Sequence, residues 1–379
     1  FQQLGGLALE FSWKAPSLGV NGWQIIPAEY LFNGEEADWN LNSTINISRT
    51  NGLVIESEDP EQPAVLRAPN NGPAFSISDD ELQGDVVLRD FTIENVREGI
   101  EISSAGDNDN FVIIDGLSIK GIYNGINNNN FLRYGILAED GRSNLIIVNN
   151  TIKAPSADNQ QTSEGIYAYG NCAFIGFNHL EGNFGPAILL NVDNTSNAGC
   201  GFKPSVDNNS IHLNVVGAQE GVWLSGTNVL ARNNLIYKGE FDTGFALRNM
   251  LLTTNNSPLQ NNYIGINQDY CFGSCALSNV CEIYDACGNN NSGCCSNFCD
   301  VNDTSSGCIS AFPGLNFMDD IGCAGGNNNF TWIDKGVNID YPEMIDAVIP
   351  LISGGYRDIG ARESGVPFTV GGEVRVCEE

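Results

Sequence analysis

Lys238, Glu240, Asp242 and Arg248 put two cations and two carboxylates close together in the chain, with Glu220 and His212 a little upstream. Lys238 or Arg248 is a candidate base for an elimination at a sugar acid. Glu240 and Asp242 are the acidic members of the cluster. The same residue types also make an ordinary solvated loop, and both readings stand at this point. Asp107-Asn108-Asp109-Asn110 alternates oxygen donors of the kind Ca²⁺ prefers, so Asp107 and Asp109 are candidate ligands. Glu139-Asp140 and Asp319-Asp320 offer similar donors, but nothing has the spacing of an EF-hand loop. Apart from Ca²⁺ no cofactor is expected. Tyr167, Tyr169 and Trp223 can stack on sugar rings, although packing between neighbouring elements uses aromatic residues just as often. His179 and His212 are the only two histidines and read as turn residues at bends of a repeat. No phosphate loop, nucleophile elbow or His-Glu-x-x-His motif occurs.

Cysteine chemistry points to the cell exterior. Nine of the twelve cysteines crowd into one stretch: Cys271, Cys275, Cys281, Cys287, Cys294, Cys295, Cys299, Cys308 and Cys323. Paired Cys-x-x-Cys knuckles and histidine are both missing from it, so a disulfide-stapled insertion is expected rather than a zinc site. Cys172 and Cys200 are available to pair separately, and Cys377 to reach back to the cluster. The spacing leaves the connectivity open. Disulfides at this density belong to an oxidising compartment. Asn-x-Ser/Thr sequons at Asn42, Asn46, Asn149, Asn194, Asn208, Asn255, Asn290, Asn302 and Asn329 fit the same location as candidate glycosylation sites. So asparagine-rich a chain meets the pattern several times by chance. A secreted, extracellular protein is the expectation.

The bulk properties narrow the partners. The chain has 379 residues, 46 Asp+Glu against 17 Lys+Arg, and a formal charge of −29. Nucleic acid and anionic membrane surfaces both require basic patches, so neither is an expected partner. A hydrophobic content of 42% is enough for a large core. No apolar run reaches the length of a membrane span; Ala347 to Ile352 is broken by Pro350. Phe1-Gln2-Gln3 shows neither the basic nor the apolar region of a signal peptide, so the chain is expected to be a mature product.

The elements that must position these residues announce themselves as a repeat. Asp90-Phe91-Thr92-Ile93 recurs as Gly116-Leu117-Ser118-Ile119, Asn149-Asn150-Thr151-Ile152, Phe177-Asn178-His179-Leu180 and Asn208-Asn209-Ser210-Ile211. Asn233-Asn234-Leu235-Ile236 and Asn261-Asn262-Tyr263-Ile264 continue it, at steps of 25 to 33 residues. β-rich runs such as Leu145-Ile146-Ile147-Val148 precede several copies. A second phrase follows, as in Gly99-Ile100-Glu101-Ile102, Gly135-Ile136-Leu137 and Gly165-Ile166-Tyr167. One period therefore holds two or three short strands with no helical periodicity, and stacked coils would bury a continuous core. Asn150, Asn178, Asn209, Asn234 and Asn262 share one position. An asparagine there tolerates the left-handed conformation of a sharp bend, and its amide can hydrogen-bond from coil to coil.

Over about residues 50–265 this pattern resembles the right-handed parallel β-helix of pectate-lyase-like proteins. Tyr356-Arg357-Asp358-Ile359-Gly360-Ala361-Arg362-Glu363 is similar to the Asp-Ile-Gly-Ala ending of many secreted bacterial β-helix proteins. The resemblance implies an all-β solenoid and, for its enzymes, a polysaccharide groove along one strand face. It does not extend to polygalacturonase motifs: the Asn-Thr-Asp and Gly-His-Gly phrases are absent, and Asn194-Thr195-Ser196 is the nearest approach.

The expected organisation is an N-terminal arm or cap over 1–30, the β-helix over 31–265 and the Cys-rich insertion over 266–330. Closing β segments over 331–364 and a tail over 365–379 complete it. The expected function is an extracellular structural or adhesive β-helix, a glycosylated subunit assembling head-to-tail into a surface filament through its terminal segments. The alternatives are a polysaccharide lyase or hydrolase of the same superfold and a glycan-binding adhesin.

Overall fold

In a computed structural model of the chain the described residues are 10–11, 28–32, 38–41, 43–48, 51–57, 64–67, 72–78, 84–103, 110–121, 133–141, 144–154, 163–170, 172–192, 202–213, 218–226, 229–238, 243–251, 259–260, 263–266, 283–285, 339, 341, 343–349, 367–370 and 373–376. Each coil runs through three strands in turn. Gly84–Arg89, Thr92–Val96 and Glu98–Ser103 make one coil. Phe111–Asp115, Ser118–Gly121 and Tyr134–Gly141 make the next. Each strand pairs in parallel with its equivalent one coil later, which builds three sheets of 10, 9 and 9 strands, here the first, second and third. The first has the extra strand because Glu10–Phe11 pairs antiparallel with Ala28–Phe32 at its edge. The protein is thus an all-β parallel solenoid.

Period-two alternation explains why these runs are strands. In the second sheet Ile93, Ile119, Ile152, Leu180, Ile211 and Ile236 lie one above another and are all fully buried. Val112, Ile114, Ile147 and Ile175 line the interior from the first sheet, and Ile100, Ile136, Ile166 and Ile188 from the third. β-branched side chains suit this pleated, buried surface.

The corner between the first and second sheets is built by two adjacent residues with separate duties. The first takes the left-handed conformation: Asp90 (φ 59°), Gly116 (65°), Asn149 (59°), Phe177 (57°), Asn208 (54°) and Asn233 (55°). The second carries the ladder. Asn150, Asn178, Asn209 and Asn234 are wholly buried. The Asn178 Nδ2 donates to Ile147 O at 2.9 Å and to Asn209 Oδ1 at 3.0 Å. Its Oδ1 accepts from the backbone N–H of Asn150 at 3.0 Å and from Asn150 Nδ2 at 2.9 Å. Asn209 repeats the pattern toward Asn234. The expected ladder is present at these four positions, but the left-handed residue is the one before it. Asn262 lies outside the described residues.

A strap crosses the outside of the first sheet. Tyr341, Ile345, Val348 and Ile349 pack with Ile146, Val148, Phe174 and Phe177 in a second apolar cluster. Tyr341 meets Phe174 edge-on at 5.2 Å and Phe177 at 6.5 Å. Asn149 Nδ2 donates to Val348 O at 2.8 Å. Part of the strap, Glu343–Asp346, is a one-turn helix, although strands are expected throughout 331–364. The apolar residues there cover a sheet face rather than extend the sheet. The solenoid also continues past 265: Ile283–Asp285 pairs in parallel with Thr243–Leu251, inside the stretch expected to be the Cys-rich insertion. Pro367–Val370 and Glu373–Val376 pair antiparallel with one another in the tail.

Candidate functional site

Alternation that sends isoleucines inward on the third sheet sends a different set outward. Register aligns Glu101, Leu137, Tyr167, Leu189 and Trp223 in one row, each on the strand next to the last. A second row beside it holds Tyr169, Asn191 and Ser225. Tyr167, Tyr169, Trp223, Asn191 and Ser225 are part-exposed, and Leu189 is buried beneath the row. The Tyr167 and Tyr169 rings sit 5.3 Å apart at 53°, tilted against each other. At its early end Tyr134 donates to Glu101 at 3.3 Å, and Arg133 pairs with Glu98 at 2.7 Å. Aromatic faces flanked by an amide and a hydroxyl can stack on the C–H face of a sugar while bonding its hydroxyls.

The second sheet presents charge instead. Its outward column reads Glu94, Lys120, Lys153, Glu181 and His212. Lys120 pairs with Glu94 at 3.0 Å and Lys153 with Glu181 at 3.3 Å. His179 Nε2 lies 4.0 Å from the Glu181 carboxylate. Burial holds the His212 imidazole below the usual histidine range, and Glu181 works against that shift. Both histidines therefore stand in strands, His179–Gly182 and Ser210–Leu213, and not at bends. His179 directly follows a ladder asparagine, in the slot that Thr151 fills one coil earlier, and His212 stands in the slot that Glu181 fills one coil earlier. The column is a charge-compensated surface, and no group of three or more His, Cys, Asp or Glu among the described residues is arranged to hold a metal.

Under the strap, Asp207 is fully buried and receives both Arg232 Nε at 3.0 Å and a terminal nitrogen at 2.6 Å. Burial pushes the Asp207 carboxyl up, and Arg232 opposes this. The guanidinium also lies 6.0 Å from the Tyr341 ring, so the pair anchors the strap. Two cysteines or a histidine would signal chemistry here; a buried Asp–Arg pair with an aromatic lid signals a structural joint.

The residues expected from sequence to form one site fall on different elements where they are described. Lys238 ends a strand of the second sheet and Arg248 lies within a strand of the third, in register with Trp223. Glu240 and Asp242, between them, lie outside the described residues, as do Asp107 and Asp109. The sequon asparagines within the described residues are Asn46, Asn149 and Asn208. Cys172 is buried; the remaining cysteines lie outside the described residues. The Tyr167–Trp223 row was legible as separate aromatics, but only sheet register aligns them. No helix among the described residues is long and apolar enough to cross a membrane.

Three parallel sheets closed around an aliphatic core define the protein as a β-solenoid. No family model, no curated protein and no solved structure matches the chain.

Proposed function

We propose that the protein is an extracellular, adhesive β-solenoid whose third sheet binds a carbohydrate chain along the solenoid axis. The observation that carries this reading is the alignment of the part-exposed Tyr167 and Trp223 in one row, with Tyr169, Asn191 and Ser225 alongside. Parallel strands are ~4.8 Å apart, close to the length of one pyranose unit, so a glycan lying across the strands keeps step with the coils. Rings two coils apart then stack on alternate sugars, and Asn191 and Ser225 meet hydroxyls between them. The platform's strands are hydrogen-bonded into one nine-stranded sheet, so little ordering entropy is lost on binding. An extracellular setting is supported by Cys172, which is disulfide-bonded, and by the cysteine density of 271–323. The reading needs no cofactor.

Affinity electrophoresis against a polysaccharide panel tests it. Trp223→Ala is expected to weaken binding about tenfold, ~1.4 kcal/mol, with an unchanged far-UV spectrum. Absence of binding by the native protein to every polysaccharide would sink the proposal. Release of unsaturated or reducing ends from a bound polysaccharide would replace it with the lyase or hydrolase alternative.

A further inference from the structure

We infer that Asn46 is an N-linked glycan attachment site, and that the sequons at Asn149 and Asn208 are by-products of the coil corner and carry no glycan. From Asn149 onward the corner runs through a left-handed residue, a ladder asparagine, a variable third residue and an inward aliphatic. Where the first two are both asparagine and the third is Thr or Ser, a sequon is spelled automatically: Asn149-Asn150-Thr151-Ile152 and Asn208-Asn209-Ser210-Ile211. At Asn149 the fold uses both amide hydrogens that transfer requires, and at Asn208 it buries the whole side chain.

Glycan transfer joins the asparagine Nδ2 to the anomeric carbon of an isoprenoid-diphosphate-linked oligosaccharide. The anomeric C–O bond breaks, the diphosphate leaves with the electron pair, and Nδ2 loses one of its two protons. The product amide keeps a single N–H. Asn149 Nδ2 donates to Asp115 Oδ1 and to Val348 O, each at 2.8 Å, and so uses both hydrogens. Asn208 is 0% exposed and accepts from Asn233 Nδ2 at 3.3 Å. The hydroxyl residues are closed off as well, Thr151 at 3% and Ser210 at 1% exposure. A chain modified at Asn208 during synthesis could not close that corner, so folded protein carries no sugar there.

Asn46 is the opposite case. It lies in the strand Ile45–Ile47, where Ile47 is buried and Ile45 packs against the core, so alternation turns Asn46 outward. Asn46 and Ser48 are both exposed, and Asn46 Nδ2 makes a local 3.3 Å bond to Thr44 O. The strand stands at the end of the third sheet, four strands from the one carrying Tyr167, so a glycan there leaves the aromatic row open.

The inference rests on the export part of the proposed function but not on carbohydrate binding. The full chain, secreted from a glycosylating eukaryotic host, is treated with peptide N-glycosidase in heavy-oxygen water, which marks each formerly occupied asparagine as labelled Asp in peptide mass spectrometry. Label at Asn46 and none at Asn149 or Asn208 is expected. Asn46→Gln should be secreted normally and should lose the corresponding gel-mobility step. Label at Asn149 or Asn208 in folded protein, or an unlabelled Asn46, overturns the inference. Polysaccharide binding measured on the same preparation stands or falls separately.

Discussion

Asparagine does three different jobs in this chain, and its surroundings decide which. In the ladder it is a two-donor, two-acceptor bridge; one position earlier it is a residue that tolerates a positive φ; on an outer strand it is ordinary surface. Asn178→Ala removes two donors and an acceptor from a wholly buried site, leaving Ile147 O and the Asn150 donors short. The expected cost is about 3 kcal/mol or more, against less than ~0.5 kcal/mol for exposed Asn40→Ala, both read from chemical denaturation. Asn178→Asp should be no better than Ala, since a carboxylate cannot donate to Ile147 O. Phe177 shows that the left-handed slot does not require asparagine: burial under Tyr341 offsets its backbone strain. Histidine gives a pH signature. The His212 pKa is lowered in the fold, so below about pH 6.5 the unfolded chain binds a proton that the fold does not. This contribution is complete above that pH and is lost as pH falls through the folded value. Thermal stability should therefore drop more steeply from about pH 7.5 to about pH 5 in the native protein than in His212→Gln.

At the scale of elements, strand identity was legible and strand company was not. The alternation in Ile100-Glu101-Ile102 states which side chains go inward, because only a buried face selects against charge at every second residue. The strap could not be read the same way. Tyr341, Ile345 and Ile349 are spaced four apart, but only Glu343–Asp346 is helical, too short for a periodic signal, and their counterpart is the outward set Ile146, Phe174 and Phe177. Two outward apolar sets far apart in sequence find each other only in three dimensions. Tyr341→Ala removes two ring contacts and the cation–π contact with Arg232, and is expected to cost ~1–3 kcal/mol. A rise in bound hydrophobic dye should accompany it, while Asp346→Ala, on the exposed side of the same turn, leaves both unchanged. Dye binding equal to that of the native protein would mean that the strap does not cover the sheet.

For the whole molecule, stacking makes each coil depend on its neighbours, so core, ladder and aromatic row all run along one axis. That geometry gives the −29 charge a setting: on the second sheet Glu94 and Glu181 flank Lys120 and Lys153, while the third exposes its aromatics in a nearly uncharged band from Tyr167 to Trp223. The proposed ligand follows from that band. The chain by itself determined the solenoid, because a repeated sequence of short alternating strands and Asn-rich corners has one economical way to bury its aliphatic face. It also named the ladder, since an amide repeated once per coil can pair with its own image. The tertiary structure alone decided which residues share a surface. Lys238 and Arg248 are near in sequence yet belong to different sheets, while Tyr167 and Trp223, 56 residues apart, share one row. The physical reason is register: parallel pairing sets which residue lies above which, and loops of unequal length conceal that alignment from the linear sequence.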